Sequence, residues 1–283
     1  MQKLVQISKH VAYLPPYQET DRPLLAAVSG NKYTLLMDAG NSVSHAKLWL
    51  SQLADLGITG DWLVLTHWHW DHVFGLSEMA MPVFCYEETF KKIQELQQLT
   101  WDDTALDERV EKGIEIPFCA DAMKKELGSE REIVIPSPNI TFSNKMTMDL
   151  GGVSCIIEHV GGDHSSDSVV LYVPEEKVLF LGDCLYANMY AKKWCYTREK
   201  VMAMISKLEE YDVELAILSH GEKPLAKDEY KSFIEMLTSL AEITHREKGD
   251  QEQITNSMIS VLNRPLNDLE IETIQFFIHG YEQ

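Results

Sequence analysis

The chain has 283 residues, of which 45% are hydrophobic and 24% are charged, and its formal net charge at pH 7 is −19. This balance is typical of a globular protein with enough apolar side chains for a sizeable core in one large domain. The negative charge argues against a nucleic-acid surface and against docking on an anionic membrane, because both need clustered Lys and Arg.

The N-terminal residues and the cysteines together predict a cytoplasmic protein. The first ten residues contain no sustained apolar run, so no signal peptide is predicted, and no segment has the length of a membrane span. Five cysteines are scattered, odd in number and without C-x-x-C spacing, which is typical of a reducing compartment. We therefore expect a cytoplasmic protein that acts on a small molecule, and the sequence is compatible with a homodimer.

The first part of the chain alternates short apolar runs with turn signals, which predicts strands. The predicted strands are Leu24–Val28, Tyr33–Met37, Trp62–Leu65 and Met81–Tyr86, and a helix is predicted at Leu48–Leu56. From about Glu87 to Gly128 apolar residues recur at roughly helical spacing, which predicts an inserted helical segment rather than a separate domain.

Strands resume after the insertion and give way to helices near the C-terminus. The predicted strands are Glu132–Ile135, Ile140–Phe142, Met146–Asp149, Val153–Val160, Ser168–Val173, Lys177–Leu181 and Leu215–Leu218, with a helix through Val201, Met204, Ile205 and Leu208. Beyond Pro224 the pattern is helical only. These elements predict an α/β layered fold, with a main domain over residues 1–224 and a helical C-terminal extension over 225–283 packed on it.

The densest chemical signal is the stretch 66–72, T-H-W-H-W-D-H. Its three histidines and one aspartate are side chains that bind Zn²⁺ and also Fe or Mn. His67 and His69 lie two residues apart at the end of a predicted strand, so both can point to the same face. Four candidate ligands in six residues exceed what one tetrahedral ion draws from so short a loop, which indicates a pair of metal ions.

Three later segments place a polar residue beside glycine at the end of an apolar strand. They are V-G-G-D-H-S-S-D-S with His164, F-L-G-D-C-L with Asp183, and I-L-S-H-G with His220. Catalytic residues are often placed in this way. Each segment is a weak signal alone, but together with the histidine cluster they predict one functional site.

These motifs, with D-A-G at 38–40, resemble those of the metallo-β-lactamase-fold hydrolases, which include glyoxalase II thioesterases, lactonases, phosphodiesterases and class B β-lactamases. They follow the family order over roughly the first 220 residues. The resemblance implies an αββα sandwich, in which two β-sheets pack face to face with helices outside. It implies one metal on His67, His69 and His164, a second on Asp71, His72 and His220, and a bridging Asp183. Asp38 would orient a ligand or the ligand loop.

One turn departs from the family pattern. Where the family usually has Pro-Gly-His-Thr, this chain has Gly162-Asp163-His164-Ser165, and Asp167 stands where glycine is common. Because His164 is retained, metal binding is still expected. Asp163 and Asp167 are the positions at which the pocket, or the surroundings of the ligands, would differ from those of the family.

The ligand set and the resemblance predict a dinuclear metal-dependent hydrolase, in which a metal-bridging hydroxide attacks an ester, thioester or lactone bond. The predicted metals are two divalent ions, with Zn²⁺ favoured and Fe or Mn admissible. Asp71, Asp183 and Tyr186 are the predicted catalytic residues, and Tyr186 has the offset from Asp183 at which lactonases of the superfamily place a pocket tyrosine. A phosphodiesterase and a non-haem iron redox enzyme of the same fold are the alternatives.

The segments that follow the ligands bear on the substrate. Tyr190, Trp194 and Tyr196 form an aromatic loop for which a pocket wall and simple packing are equal alternatives. The basic residues Lys192, Lys193, Arg198 and Lys223 would favour an anionic substrate if they faced the pocket, which the sequence does not decide. We expect the insertion and the C-terminal helices to flank the metal cleft.

Overall fold

The structure is a computed structural model, which describes residues 2–282, and it contains two β-sheets. The strands of the first sheet, in spatial order, are β1 (Val5–Gln6), β2 (Val11–Leu14), β3 (Leu25–Ser29), β4 (Thr34–Met37), β5 (Trp62–Val64), β6 (Val83–Tyr86) and β7 (Ile140–Phe142). β1 to β4 pair antiparallel, whereas β4 to β7 pair in parallel.

The second sheet is built from a run of hairpins and one crossover connection. Its strands are β8 (Lys145–Asp149), β9 (Ser154–His159), β10 (Val169–Val173), β11 (Val178–Gly182), β12 (Leu215–Leu218) and β13 (Leu225–Ala226). Every neighbouring pair is antiparallel except β11 and β12, which are parallel. A helix connects these two strands, as a parallel crossover requires.

The helices fall into an N-terminal and a C-terminal set. The first set is α1 (Val43–Asp55), α2 (Trp70–Val73), α3 (Glu87–Leu96), α4 (Asp103–Glu111) and α5 (Pro117–Leu127). The second set is α6 (Arg198–Leu208), α7 (Lys227–Arg246), α8 (Gln251–Leu262) and α9 (Asp268–Tyr281). Of the helices within residues 2–282, none is both long and apolar enough to cross a membrane.

Alternating side chains on the central strands produce three apolar layers. On β4, Leu35 packs between the sheets while Leu36 packs under the first helical set. On β11, Phe180 packs between the sheets while Leu179 packs under the second helical set. Both faces of these central strands are therefore buried, which explains why they read as continuous apolar runs. The predicted αββα sandwich is confirmed.

One predicted strand is wrong. Glu132–Ile135 is not a strand in the structure. The carbonyl of Ile135 accepts a 2.8 Å hydrogen bond from the side chain of Gln97, and Pro136 follows directly, so this backbone cannot continue a ladder. Ile135 is nevertheless buried, in the apolar layer of the insertion helices.

Several boundaries and short elements also differ from the prediction. Helix α1 begins at Val43 rather than Leu48, because the hydroxyl of Ser42 accepts from the backbone N–H of His45 at 3.0 Å and caps the helix. The two N-terminal strands β1 and β2 were not predicted. The region after Pro224, predicted to be helical only, begins with the short strand β13. The insertion predicted at about Glu87–Gly128 forms α3, α4 and α5.

Candidate metal centre

The seven predicted ligands meet where several strands end. His67 and His69 follow β5, α2 carries Asp71 and His72, the β9–β10 turn carries His164, and Asp183 and His220 follow β11 and β12. Because β11 and β12 are parallel, Asp183 and His220 emerge at the same edge of their sheet. The side chains fall into two groups, His67, His69 and His164, and Asp71, His72, Asp183 and His220, each with its ligand atoms within 4.8 Å of one another.

The first group consists of three buried imidazoles. Nδ1 of His69 lies 3.0 Å from Nε2 of His67 and 2.9 Å from Nε2 of His164. Burial lowers the pKa of all three histidines, so the neutral rings keep a lone pair for a metal. Tetrahedral zinc with Zn–N bonds of 2.0–2.1 Å holds its ligand nitrogens about 3.3 Å apart, close to the spacing seen here.

The second group contains two carboxylates and two imidazoles. Oδ2 of Asp71 lies 3.1 Å from Nε2 of both His72 and His220. Burial alone would raise the pKa of Asp183, but the imidazoles of His220 and His72 hold it well below its usual value. Burial would likewise lower the pKa of His72, but Asp71 and Asp38 raise it well above its usual value. This group needs buried positive charge, which a divalent ion can supply in place of protons.

Asp183 lies between the two groups. Its Oδ2 is 3.4 Å from Nε2 of His164 in the first group and 3.3 Å from Nε2 of His72 in the second. Its Oδ1 is buried and has no hydrogen-bond partner among the described residues. A buried carboxylate oxygen without a partner is costly unless a cation satisfies it. The position and the free oxygen both fit a carboxylate shared by two ions.

Asp38 forms hydrogen bonds with the ligand loop and with one of the candidate ligands, the kind of role that the resemblance implied. Its Oδ1 accepts from the backbone N–H of Thr66 at 2.8 Å, and its Oδ2 accepts from the hydroxyl of Thr66 at 2.9 Å. The same Oδ2 accepts from Nδ1 of His72 at 2.7 Å, so His72 turns Nε2 toward the ligand group. Gly40, two residues on, has φ of 85°, and a Cβ there would lie 2.7 Å from Nδ1 of His45. The D-A-G motif thus combines a buried acceptor with a turn that needs glycine.

Two further residues of the site were not predicted. The side-chain amide of Gln18 donates to the carbonyl of His220 at 2.9 Å, and Oδ1 of Asp21 lies 3.4 Å from Nδ1 of His220. Burial, followed by the charge of Asp71, raises the pKa of Asp21 to about 7. Both residues lie in the loop between β2 and β3, in a polar stretch that carries no motif, so no local signal could have identified them.

A cleft of about 260 Å³ opens above the two ligand groups. Its walls are largely apolar, formed by Ile116, Phe118 and Cys119 of the insertion and by Met189, Tyr190 and Trp194 of the aromatic loop. The hydroxyl of Tyr190 donates to Glu115 at 3.1 Å and so connects the two walls. Tyr186 lies beside both groups, with its ring centroid 6.0 Å from that of His164 and 6.3 Å from that of His220.

The four basic residues considered in the sequence do not line this cleft. Lys193, Arg198 and Lys223 each approach a carboxylate elsewhere, Glu282, Glu242 and Glu229 respectively. Lys192 is exposed. Within residues 2–282, no lysine or arginine contributes to the cleft lining.

The insertion flanks the cleft, as expected, but the C-terminal helices do so only indirectly. No described residue beyond His220 lines the cleft. Helix α9 instead supports the aromatic loop, because the carbonyl of Phe276 accepts from the backbone N–H of Tyr196 at 3.0 Å. Nδ1 of His279 also lies 2.9 Å from the carbonyl of Trp194.

The fold and the arrangement of the site agree with the sequence comparison. Residues 25–220 match the family model of the metallo-beta-lactamase superfamily, and the chain belongs to this superfamily. Its members are mostly metal-dependent hydrolases, such as lactamases and sulfatases.

Individual relatives are distant. The type 2 metallo-beta-lactamase of Bacteroides fragilis is 32% identical over 69 residues, which are 24% of this chain and only 27% of that protein. The metallo-beta-lactamase from Pontibacter korlensis superimposes with a TM-score of 0.58 at 20% identity, covering 84% of this chain and 99% of that one. The stereoselective inverting sec-alkylsulfatase Pisa1 from Pseudomonas sp. superimposes with a TM-score of 0.66 at 14% identity, covering 99% of this chain and 49% of that one. At these identities the structural matches show the fold alone.

Proposed function

We propose that this chain is a dinuclear metal-dependent hydrolase that cleaves an uncharged ester, thioester or lactone with an apolar acyl group. The observation that carries the proposal is the position of Asp183, between two complete ligand groups at the floor of an apolar cleft. The ligand groups support the proposed class of reaction, and the cleft lining supports the proposed class of substrate.

The proposed ligands follow the two groups of side chains. One ion is assigned to His67, His69 and His164, the other to Asp71, His72 and His220, with Asp183 shared. When bound, the two ions would supply a Lewis acid for the substrate carbonyl and an activated water as nucleophile. The nitrogen-rich donor set favours Zn²⁺, and Fe or Mn is chemically admissible.

The protein side chains have separate tasks in this proposal. The carboxylates of Asp183 and Asp71 hold the cationic centre together, since each contacts histidines of the site within 3.5 Å. Burial raises the pKa of Tyr186, so its phenol stays protonated near neutral pH. A protonated phenol beside the ligands can donate a hydrogen bond to the substrate oxygen on which negative charge develops.

The cleft lining favours an uncharged substrate over a phosphodiester. Asp21 lines the cleft, and no lysine or arginine within residues 2–282 does so. An anionic phosphodiester would therefore find no side-chain cation outside the metal centre. An apolar acyl chain would instead bury against Phe118, Met189 and Trp194, at about 25 cal/mol per Å² of apolar surface. The cleft has a volume of about 260 Å³, and its apolar walls give an acyl chain a surface to pack against.

A substrate panel on metal-reconstituted protein tests the proposal. We expect the largest kcat/KM for p-nitrophenyl esters, thioesters or lactones with medium acyl chains, and a value at least tenfold lower for bis-p-nitrophenyl phosphate. The Asp183→Asn variant, purified in parallel, is the control for contaminating esterases. A preference for the phosphodiester, or an oxygen-consuming activity with iron and no hydrolysis, would replace this proposal with one of the alternatives.

A further inference from the structure

The turn that carries His164 contains two buried aspartates that belong to neither ligand group. Asp163 is 5% exposed and Asp167 is fully buried. The two carboxylates have different partners. Asp163 contacts Thr197, and Asp167 accepts from the hydroxyl of Thr89 at 2.7 Å. Thr197 follows the aromatic loop and Thr89 lies in α3 of the insertion, so the turn is hydrogen-bonded to both of these segments.

Asp163 makes the more extensive of these two links. Its Oδ2 accepts from the backbone N–H of Thr197 at 2.7 Å, and its Oδ1 accepts from the hydroxyl of Thr197 at 3.0 Å. Thr197 is the N-cap of α6, but its side chain does not cap that helix, because its hydroxyl is directed to Asp163. The carboxylate of Asp163 accepts from Thr197 itself and lies 3.6 Å from Nζ of Lys200, so it is placed near the helix N-terminus, where the helix dipole favours negative charge.

This link connects two parts of the cleft that are remote in sequence. Asp163 is adjacent to His164, whose imidazole belongs to the first ligand group. Thr197 ends the segment that begins at Asp183 and carries Tyr186, Tyr190 and Trp194 along the cleft. The segment therefore begins at Asp183, and its other end is held in position by the hydrogen bonds of Asp163, the neighbour of His164. At the family's usual glycine neither hydrogen bond could form.

We propose that Asp163 is a positioning residue that sets the distance between the metal centre and the aromatic wall, and so determines which acyl lengths the enzyme accepts. The acyl-length part of this inference rests on the proposed function. The link itself does not, and it predicts a change in loop stability that can be measured without any substrate.

Limited trypsin digestion measures the link directly, because Lys192 and Lys193 are exposed cleavage sites within the aromatic loop. Asp163→Ala removes both acceptors, and we expect cleavage at these sites to become about fivefold faster, as for a local opening that has lost a net hydrogen bond. Asp163→Asn keeps an acceptor for the backbone N–H and should restore cleavage to within about twofold of the wild type. Asp167→Ala is the matched control, and cleavage at these two sites should not change.

Steady-state kinetics then tests specificity. In Asp163→Ala we expect KM for a p-nitrophenyl octanoate to rise about fivefold with kcat little changed, whereas kcat/KM for the acetate stays within about twofold. Metal content should remain that of the wild type in both Asp163 variants. If the protein hydrolyses no ester, the proposed function fails, and the digestion alone decides the link.

If Asp163→Ala does not fold, Thr197→Val removes one of the two donors from the other side and should accelerate cleavage by about threefold. The proposal is overturned if neither Asp163→Ala nor Thr197→Val accelerates cleavage at Lys192 and Lys193. It is also overturned if Asp167→Ala accelerates that cleavage equally, or if acyl-length preference is unchanged in an active Asp163→Ala enzyme.

Discussion

Oδ2 of Asp38 lies 2.7 Å from Nδ1 of His72, and both side chains are completely buried. Since a carboxylate can only accept, the proton is on Nδ1, and Nε2 of His72 is free to face Asp71 and Asp183. A residue 34 positions earlier in the chain therefore determines which nitrogen of the histidine is available to a metal.

The first prediction concerns this pair. Asp38→Asn replaces one acceptor oxygen with a donor, so the ring of His72 loses its fixed tautomer and the affinity of the second ligand group should fall about 10–100-fold. Competition with a chromogenic chelator measures the change. Asp61→Asn is the control, because Asp61 also accepts from a backbone N–H, that of Thr34, but does so away from the site. Equal affinities in Asp38→Asn and the wild type would contradict the orienting role.

The second prediction is the metal stoichiometry. If both candidate ligand groups bind metal, the chain should hold close to two ions after native purification, which elemental analysis measures. Chelation should also lower Tm, because the ions stabilise the folded state and relieve the demand of Asp71 and Asp183 for positive charge. At most one bound ion, even after reconstitution with Zn²⁺, Fe²⁺ or Mn²⁺, would exclude the paired centre.

The third prediction separates the bridging residue from the hydrogen-bond donor. Asp183→Asn keeps the size of the side chain but removes the charge shared by both groups, so one ion should bind more weakly and hydrolysis should fall at least ~100-fold, about 2.7 kcal/mol. Tyr186→Phe removes only a donor and should cost about tenfold in kcat with metal content unchanged. Near-normal turnover and two tightly bound ions in Asp183→Asn would show that Asp183 does not bridge.

The fourth prediction is a pH dependence of stability at Asp167. Burial raises the pKa of this carboxyl from 3.8 to about 6, although hydrogen bonds from Ser165 and Thr89 oppose the shift. Because the folded pKa is the higher one, this contribution to stability is complete below about pH 4 and is lost as the pH rises through 6. This contribution of Asp167 to the free energy of unfolding is on the order of 3 kcal/mol.

Asp167→Asn should remove this dependence, because the amide does not ionise. The Tm of the variant minus that of the wild type should therefore rise from pH 4 to pH 6 and level off above about pH 7, while titrations shared by both proteins cancel in the difference. Any constant offset reflects the altered hydrogen bonds to Ser165 and Thr89. A difference that stays flat across this range would show that Asp167 is ionised normally in the folded protein.

The sequence by itself predicted the candidate ligand set and determined the layered fold. His67, His69, Asp71 and His72 lie so close together that their chemistry is visible without any packing. The strands β10 and β11 are buried on both faces and therefore appear as apolar runs, and β11 ends in a glycine that Asp183 follows. Local patterns of this kind are visible in the sequence because strand burial and turn geometry depend on a few neighbouring residues.

Only the tertiary structure decided which residues surround the candidate ligands and which side chains line the cleft. Asp71 meets His220 across 149 residues of sequence, and Asp21 reaches the same histidine from a loop that has no motif. The insertion supplies an apolar wall, whereas Lys193, Arg198 and Lys223 turn to carboxylates elsewhere. These contacts depend on how two sheets and their outer helices pack against each other, and packing over such separations leaves no periodic or local signal in the chain.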